Sequence, residues 1–500
     1  MNIIIQAGGK GSRLEGLTWN KPKCLVSVNG LPILFYTLQK FPDANFYVIA
    51  DYEADVLKQY LHTFAKSYKI KIIDAKGNGT ISGIKRTLRF IPKDESFLLV
   101  WSDLIPATDF NYPNSDANLI GISGTFECRW SYVDNKLKKC TSRQNGVAGL
   151  FFFKDKKCLK NIPMDGEFVA WLQEKAIKFK RLNLSGWKEI GTILSFKENS
   201  SQNVCRPFNE MHFSDSKVIK RGKNEYGIKI GKFETDWYKH IKKLKYPYIP
   251  EIYSYSPLTM QKITGYNIFE LDCLVTSQKE IILSKVISAL EKLHSLEPPK
   301  PIIPSDIRET YFEKTFRRLD TIKNLVPFAQ KPFLRINDRY YRNVFYMKEE
   351  IKDFVEKSMP SCFSLIHGDC TFSNILYDTF NSKAVLIDPR GYFGQTQYYG
   401  DEDYDWAKLY YSLYGNYDQF NRKKFSLKIG SDNVEIVIKS SGWECMKNYF
   451  LDRIPNAKRQ KIEFLHALIW LSLTTYAWDD YDSICGAFYN GILHIGEILP

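Results

Sequence analysis

The chain has 500 residues, 44% of them hydrophobic and 25% charged, a globular composition that excludes a largely disordered protein. At roughly 100–200 residues per domain, that length predicts two to four domains. Lys and Arg number 70 against 56 Asp and Glu, a net charge of +14. The excess admits nucleic acid, an anionic membrane or phosphorylated small molecules as partners.

No stretch approaches the ~18–20 consecutive apolar residues of a membrane span, and the run Met1–Gln6 is too short for a signal peptide. A cytoplasmic protein without stable membrane insertion is therefore expected. The 10 cysteines include no C-x-x-C pair, so neither a zinc site nor a disulfide framework is expected. Residues 1–200 carry 29 Lys and Arg against 19 Asp and Glu, while residues 201–500 carry 41 against 37. No block of five or six basic residues occurs, which argues against a nucleic-acid-binding arm.

In chain order, apolar runs predict strands at Asn2–Gln6, Asn45–Ala50, Lys69–Asp74, Phe97–Ser102, Leu119–Ser123 and Gly146–Phe153. Helical patterns lie between the first four, at Pro32–Phe41, Ala54–Tyr68 and Ser82–Phe90. Strands alternating with helices imply an α/β domain built on a mostly parallel sheet. The polar stretch Lys197–Cys205 reads as a linker, giving domains over residues 1–198 and 206–500. A strand follows at Lys217–Ile219, then a helix around Phe233–Leu244. Beyond Pro257 the pattern is mainly helical, at Lys279–Leu296, Asp306–Asn324 and Glu349–Lys357. A strand–loop–strand unit at Phe363–Asp388 interrupts it, and helices are expected from there to the end.

Two motif sets carry chemistry. Directly after the first strand comes Gly8-Gly9-Lys10-Gly11-Ser12-Arg13-Leu14, then Lys21-Pro22-Lys23. Clustered glycines let backbone N–H groups approach a phosphate, and Arg13 can grip its oxygens. Neither the dinucleotide fingerprint nor a Walker A loop is present. The spacing resembles the nucleotidyltransferases that join an NTP to a sugar phosphate or a phosphoalcohol, over residues 1–196. Gly77-Asn78-Gly79-Thr80 resembles that family's nucleobase loop, and Asp103 in Trp101-Ser102-Asp103 its metal aspartate. Trp187-Lys188-Glu189-Ile190-Gly191-Thr192 resembles its W-x-D-x-G-T segment, with Glu189 in place of Asp. The resemblance implies a Rossmann-like fold, Mg²⁺ on Asp103 and Glu189, and phosphates held by Arg13, Lys23, Gly8, Gly9 and Gly11. It also implies a nucleotide base at Gly79 and Thr80.

The second set is His367-Gly368-Asp369-Cys370-Thr371-Phe372-Ser373-Asn374, followed by Val385-Leu386-Ile387-Asp388. This H-x-D-x-x-x-x-N loop resembles the aminoglycoside phosphotransferase and choline kinase superfamily, over residues 206–500. An α+β protein-kinase-like domain is implied, with Asp369 as catalytic base and Asn374 and Asp388 as Mg²⁺ ligands. Lys220 and Glu234 would form the ion pair that holds ATP phosphates, although Asn209–Ser216 lacks the expected glycine-rich cover. His367 is expected to brace the loop, and the helix end at His294 to pack.

Asp401-Glu402-Asp403 and Asp405, with Trp406, Tyr410 and Tyr414 at helical spacing, suit a cationic acceptor. Together the halves suggest a bifunctional enzyme: ATP phosphorylates a small alcohol such as choline or ethanolamine, and the phosphomonoester is coupled to CTP. A sugar kinase joined to a uridylyl- or other nucleotidyltransferase is the rival, and a non-enzymatic nucleic-acid-binding or regulatory protein with decayed domains the third reading. The implied ligands are Mg²⁺ at both sites, ATP, and CTP or UTP; the product would serve surface-glycan or lipid decoration.

Overall fold

A computed structural model describes residues 1–200 and 209–499. Two compact units are present: Met1–Asn203 with Asp479–Asp482, and Val204–Trp478 with Ser483–Pro500.

In the first unit the apolar runs become strands because both faces of the sheet are covered. The central strand Asn2–Gln6 is parallel to Asn45–Ala50 on one side and to Phe97–Trp101 on the other. Lys69–Asp74 continues the parallel set beyond Asn45–Ala50. Helices Ile33–Lys40, Ala54–Phe64 and Ile81–Thr87 make the crossovers. The sheet is less parallel than expected. Gly146–Phe153 runs antiparallel to Phe97–Trp101 and to Leu119–Ser123, and the short strands Ser131–Val133 and Lys136–Lys138 extend this antiparallel wing. The wing supplies Phe151 and Phe153 to a core shared with Ile4, Ile49, Phe97 and Phe168.

The register fixes where the functional loops meet. Gln6 pairs with both Ile49 and Trp101, so the chain leaves three adjacent strands at one edge. Ala7 then donates to the Ile49 carbonyl at 3.0 Å, and Ser102 to the Gln6 carbonyl at 3.3 Å. This is the carboxyl-end crevice where open α/β sheets bind ligands. The unit also encloses Lys21 of the K-P-K segment, whose buried ammonium lies 2.9 Å from Asp480 and 2.5 Å from Asp482.

The linker expectation needs correction. Lys197–Asn199 is the last turn of a helix, Ile193–Asn199, started by a Thr192–Ser195 capping box. The rest of the expected linker lies largely outside the described residues.

The second unit begins with an antiparallel sheet ordered Asn209–Phe213, Lys217–Gly222, Leu258–Gln261, Ile252–Tyr255. The long helix Glu225–Lys243 follows its second strand, capped where the Asn224 side chain accepts from the Gly227 N–H at 2.9 Å. A three-stranded sheet of Gly265–Asn267, Ile375–Asp378 and Lys383–Leu386 carries the second motif. Around it lie helices Thr276–His294, Glu402–Leu413 and Asn456–Leu473. The expected helix Asp306–Asn324 is present as one run from Pro304 to Ile322, with a π-turn at Glu309–Glu313 between Pro304–Arg308 and Lys314–Ile322. Helices do not run to the end. Phe425–Ile429 and Asn433–Ile438 form a hairpin that joins Phe333–Ile336 and Arg339–Arg342 in a further sheet. No described helix is long and apolar enough to cross a membrane.

Candidate active sites

In the first unit the glycine loop wraps around Lys23. Gly11 has φ +68°, and a Cβ there would lie 2.9 Å from the Lys23 Cβ. Both facts favour glycine, because L-residues avoid this region and the space is taken. Lys23 Nζ reaches 2.5 Å from Asp103 Oδ2. Glu189 arrives on a two-residue strand, Lys188–Glu189, paired antiparallel with Leu104–Ile105, and the Ile190 N–H donates to the Asp103 carbonyl at 2.8 Å. Burial and then the Asp103 charge push the Glu189 carboxyl above its usual range, opposed by the Gly191 N–H, Arg13 and Lys23. Arg13, Lys23, Asp103 and Glu189 thus share one electrostatic site. Trp187 is core instead, edge-on to Phe110 at 4.9 Å.

Asp103 Oδ1 is buried and has no hydrogen-bond partner among the described residues. An unsatisfied buried carboxylate oxygen is costly, and Mg²⁺ prefers oxygen ligands, so Asp103 and Glu189 fit that ion. No cluster of three or more His, Cys, Asp or Glu suited to a metal occurs among the described residues. Mg²⁺ does not need one, since it takes one or two carboxylates and completes its shell with water and phosphate. The Gly77–Thr80 loop is fixed from below: the Asn78 N–H donates to Asp165 at 2.7 Å and the Thr80 hydroxyl to Glu167 at 3.1 Å.

In the second unit Lys220 lies 2.8 Å from Glu234 and 3.0 Å from Asp388. The three come from a strand, the following helix and a loop almost 170 residues later. Burial opposes the Lys220 ammonium, but the two carboxylates raise its pKa overall. Asp388 has φ +55°, a left-handed backbone that aspartate tolerates better than most residues.

The catalytic-loop candidates also converge. Asn374 Nδ2 donates to Asp369 Oδ2 and to the Asp369 carbonyl, each at 2.9 Å. The Asn374 carboxamide oxygen makes no hydrogen bond among the described residues, so Asn374 and Asp388 both fit as oxygen donors to Mg²⁺. His367 braces the loop: its Nδ1 accepts from the Asp369 N–H at 3.3 Å while Nε2 lies 2.9 Å from the Ile387 carbonyl. Burial lowers its pKa, favouring the neutral ring that this pairing needs.

Sequence reasoning missed two partners of this loop. Lys408 sits 3.0 Å from Asp369 Oδ1, and Asp369 raises the Lys408 pKa against its burial. Lys408 lies three residues after Asp405 on one helix, a spacing that could have flagged it. His294 does more than pack, because its Nε2 lies 3.1 Å from Asp405 Oδ2. Asp405 also accepts the His367 and Gly368 N–H groups at 2.8 and 2.7 Å.

The cationic-acceptor expectation is overturned by these acidic side chains' own partners. Lys461 lies 2.7 Å from Asp401 and 2.8 Å from Asp403, and Lys458 2.6 Å from Glu402. Asp405 is consumed by the loop. Trp406 and Tyr410 are buried, with Tyr410 stacked on Tyr414 at 5.2 Å. The aromatic stripe is packing, and the acidic side chains beside it are held in internal ion pairs.

The profile of the MobA-like NTP transferase domain matches residues 3–109, and that of the phosphotransferase enzyme family residues 231–422. Bifunctional protein GlmU of Methanocaldococcus jannaschii is 32% identical over 108 residues, 21% of this chain and 25% of that protein. Glucose-1-phosphate cytidylyltransferase of Salmonella typhimurium is 25% identical over 136 residues, 22% of this chain and 52% of that protein. Among solved structures, HddC from Yersinia pseudotuberculosis aligns with TM-score 0.34 and 20% identity, covering 40% of this chain and 97% of its own. The chain therefore spans a quarter to about half of the length of these curated relatives. The first matched segment holds Arg13, Lys23 and Asp103 and the second Glu234, Asp369, Asn374 and Asp388, while Glu189 and Lys220 lie outside them; the chain joins a MobA-like NTP transferase domain to a C-terminal domain of the phosphotransferase enzyme family.

Proposed function

We propose that the protein is a bifunctional enzyme: its second unit phosphorylates a small hydroxyl metabolite with ATP, and its first unit couples the phosphomonoester to CTP. The observation that carries this reading is that each unit assembles one charged cluster from its motif residues. These are Arg13, Lys23, Asp103 and Glu189 in one unit, and Lys220, Glu234, Asp369, Asn374 and Asp388 in the other.

In the second unit Asp369 accepts the proton of the acceptor hydroxyl as its oxygen attacks the γ-phosphorus and ADP leaves. Lys408 pairs with Asp369 Oδ1, and Asn374 fixes its second oxygen. Lys220, oriented by Glu234, binds ATP phosphate oxygens. In the first unit a phosphate oxygen of the monoester attacks the α-phosphorus of the nucleotide. The bond to the β-phosphate breaks and pyrophosphate departs. Lys23 and Arg13 stabilise the attacking and leaving phosphates, with the Gly8–Gly11 backbone lining their approach. Mg²⁺ held by Asp103 and Glu189, or by Asn374 and Asp388, would neutralise phosphate charge.

CTP is the nucleotide of this reading because, while other matched relatives are named guanylyltransferases, one is named a cytidylyltransferase. A uridylyl- or other sugar nucleotidyltransferase is the second reading, since that relative's name also specifies a sugar phosphate. Either product would serve capsule or lipopolysaccharide synthesis, and reactions that draw on ATP and CTP belong in the cytoplasm. Choline and ethanolamine lose their support now that the acidic segment is internally paired.

The test incubates the protein with ATP, CTP or UTP and a panel of alcohols and sugars, reading products by mass spectrometry. Asp369→Asn should abolish ATP-dependent phosphorylation but still convert added phosphomonoester, and Asp103→Asn should do the reverse. Loss of both activities in either folded variant would sink the two-site reading.

A further inference from the structure

The second unit contains a cavity of about 440 Å³ lined by Glu309, Lys314, Arg317, Arg318, Arg390 and Tyr392, among others. Its volume lies within the range of small-metabolite sites. Lys314, Arg317 and Arg318 share one helix face, at spacings of three and four residues. The π-turn Glu309–Glu313 sets the rotation of that face, and such turns recur at functional sites.

The charges do not cancel. The one carboxylate in the lining, Glu309, is taken by Arg317 through a two-pronged pair at 2.9 and 2.5 Å. Lys314, Arg318 and Arg390 have no carboxylate partner within ion-pair distance among the described residues. Arg318 donates to the Ser472 carbonyl and hydroxyl, and Arg390 to the Tyr404 hydroxyl at 3.1 Å while lying 4.5 Å from the Tyr392 ring centre. Lys314 is pushed well below the usual lysine range by burial, then by Arg390, Arg318 and Lys408. Lys314 and Arg318 are each disfavoured as cations by burial and then by Arg390, a repulsion that a bound anion would relieve.

The cavity borders the catalytic loop. The Arg390 N–H donates to the His367 carbonyl at 2.9 Å, and a Cβ on Gly368 would lie 2.9 Å from the Arg390 Cβ. Gly368 immediately precedes Asp369.

We propose that this cavity holds an anionic group of the kinase acceptor, so that the substrate is a hydroxyl metabolite already carrying a phosphate or a carboxylate. The inference rests on the kinase reading and names its substrate class. An anion gripped by Lys314, Arg318 and Arg390 would hold the substrate's hydroxyl towards Asp369, and uncharged or cationic alcohols would leave the cations unpaired.

The test measures ADP release by the full chain with Mg-ATP and three acceptor sets. One set is phosphorylated (glucose 6-phosphate, mannose 6-phosphate, glycerol 3-phosphate), one carboxylated (glucuronate, glycerate), and one is neutral or cationic (glucose, glycerol, choline). Turnover is expected in the phosphorylated or the carboxylated set, and which one responds identifies the anion. Lys314→Met and Arg318→Met should each raise the acceptor KM at least tenfold with the KM for ATP unchanged, and Lys314→Arg should restore much of the loss. Because Lys314→Met removes repulsion, its melting temperature should match or exceed that of the parent. Should either variant fail to fold, inhibition of the parent by inorganic phosphate, competitive with acceptor and not with ATP, carries the same information. Turnover of choline or glucose unaffected by Lys314→Met overturns the inference and leaves the kinase reading intact. So does a raised KM for ATP alone, or ATP binding with no anionic acceptor used. Absence of ATP binding, read by displacement of a fluorescent analogue, overturns the kinase reading itself.

Discussion

Asp405→Asn tests the residue that anchors the His367–Gly368 end of the catalytic loop. Asp405 is fully buried and accepts three hydrogen bonds, from the His367 N–H at 2.8 Å, the Gly368 N–H at 2.7 Å and the His294 ring at 3.1 Å. Asparagine matches its shape but offers one acceptor oxygen, so its amide nitrogen must face a donor. One backbone N–H is left unpaired, at about 1–3 kcal/mol, and the surviving bonds lose charge assistance, at about 1 kcal/mol. A loss of about 3 kcal/mol from the second unit is expected in urea unfolding. Because Gly368 adjoins Asp369, kinase turnover should fall roughly 10- to 100-fold. Conversion of added phosphomonoester by the first unit should not change. The carboxyl also titrates in a defined direction. Burial alone would raise its pKa, but His294 and the loop N–H groups hold it below the usual aspartate range. A depressed folded pKa gives stability that is complete above the unfolded value of about 3.9 and lost as pH falls through the folded one. The gap between parent and Asn variant should therefore narrow only below about pH 4. A variant that unfolds with the parent and keeps full kinase turnover would refute this account of the loop.

Three further changes probe other links. Gly11→Ala forces a Cβ against Lys23 and strains the left-handed backbone; nucleotide coupling should fall at least tenfold while stability drops by about 1–2 kcal/mol, read by pyrophosphate release and thermal melting. Lys220→Met leaves Glu234 and Asp388 facing each other without their cation, so ATP affinity should collapse and unfolding free energy fall by about 3–5 kcal/mol. Trp406→Ala opens a hole in packed structure, lowering stability by about 3–5 kcal/mol without changing which acceptors are turned over; a changed acceptor range would restore the aromatic-cage reading.

Local pattern made much of the first unit legible. Asn2–Gln6, Asn45–Ala50 and Lys69–Asp74 are apolar or alternating runs bounded by polar turns, and the strands have those limits. The wing strands Ser131–Val133 and Lys136–Lys138 were not legible, because three residues with one buried side chain in Lys-Leu-Lys carry no period. Phe425–Ile429 and Asn433–Ile438 are a different case. Their alternation around Gly430-Ser431-Asp432 was present in the sequence and outweighed by the helical trend on both sides. In the sites, Asp369 and Asn374 could be read because one tight loop sets their spacing, and Asp388 because it follows the strand Lys383–Leu386 directly.

Sequence by itself determined the two chemistries, since short-range motifs at the ends of apolar strands encode local geometry that does not depend on distant residues. It also determined that charge concentrates in the first 200 residues. Only tertiary structure decided what the charges do. Asp401, Glu402 and Asp403 look like a cation trap until Lys458 and Lys461, more than fifty residues away, pair with them. Lys314 and Arg318 look like an ordinary solvated helix face until a π-turn and Arg390 converge on them beside the catalytic loop. Net charge is additive along a chain, but its sign at a site depends on which partners folding brings within a few ångströms, and that is a property of the packed structure alone.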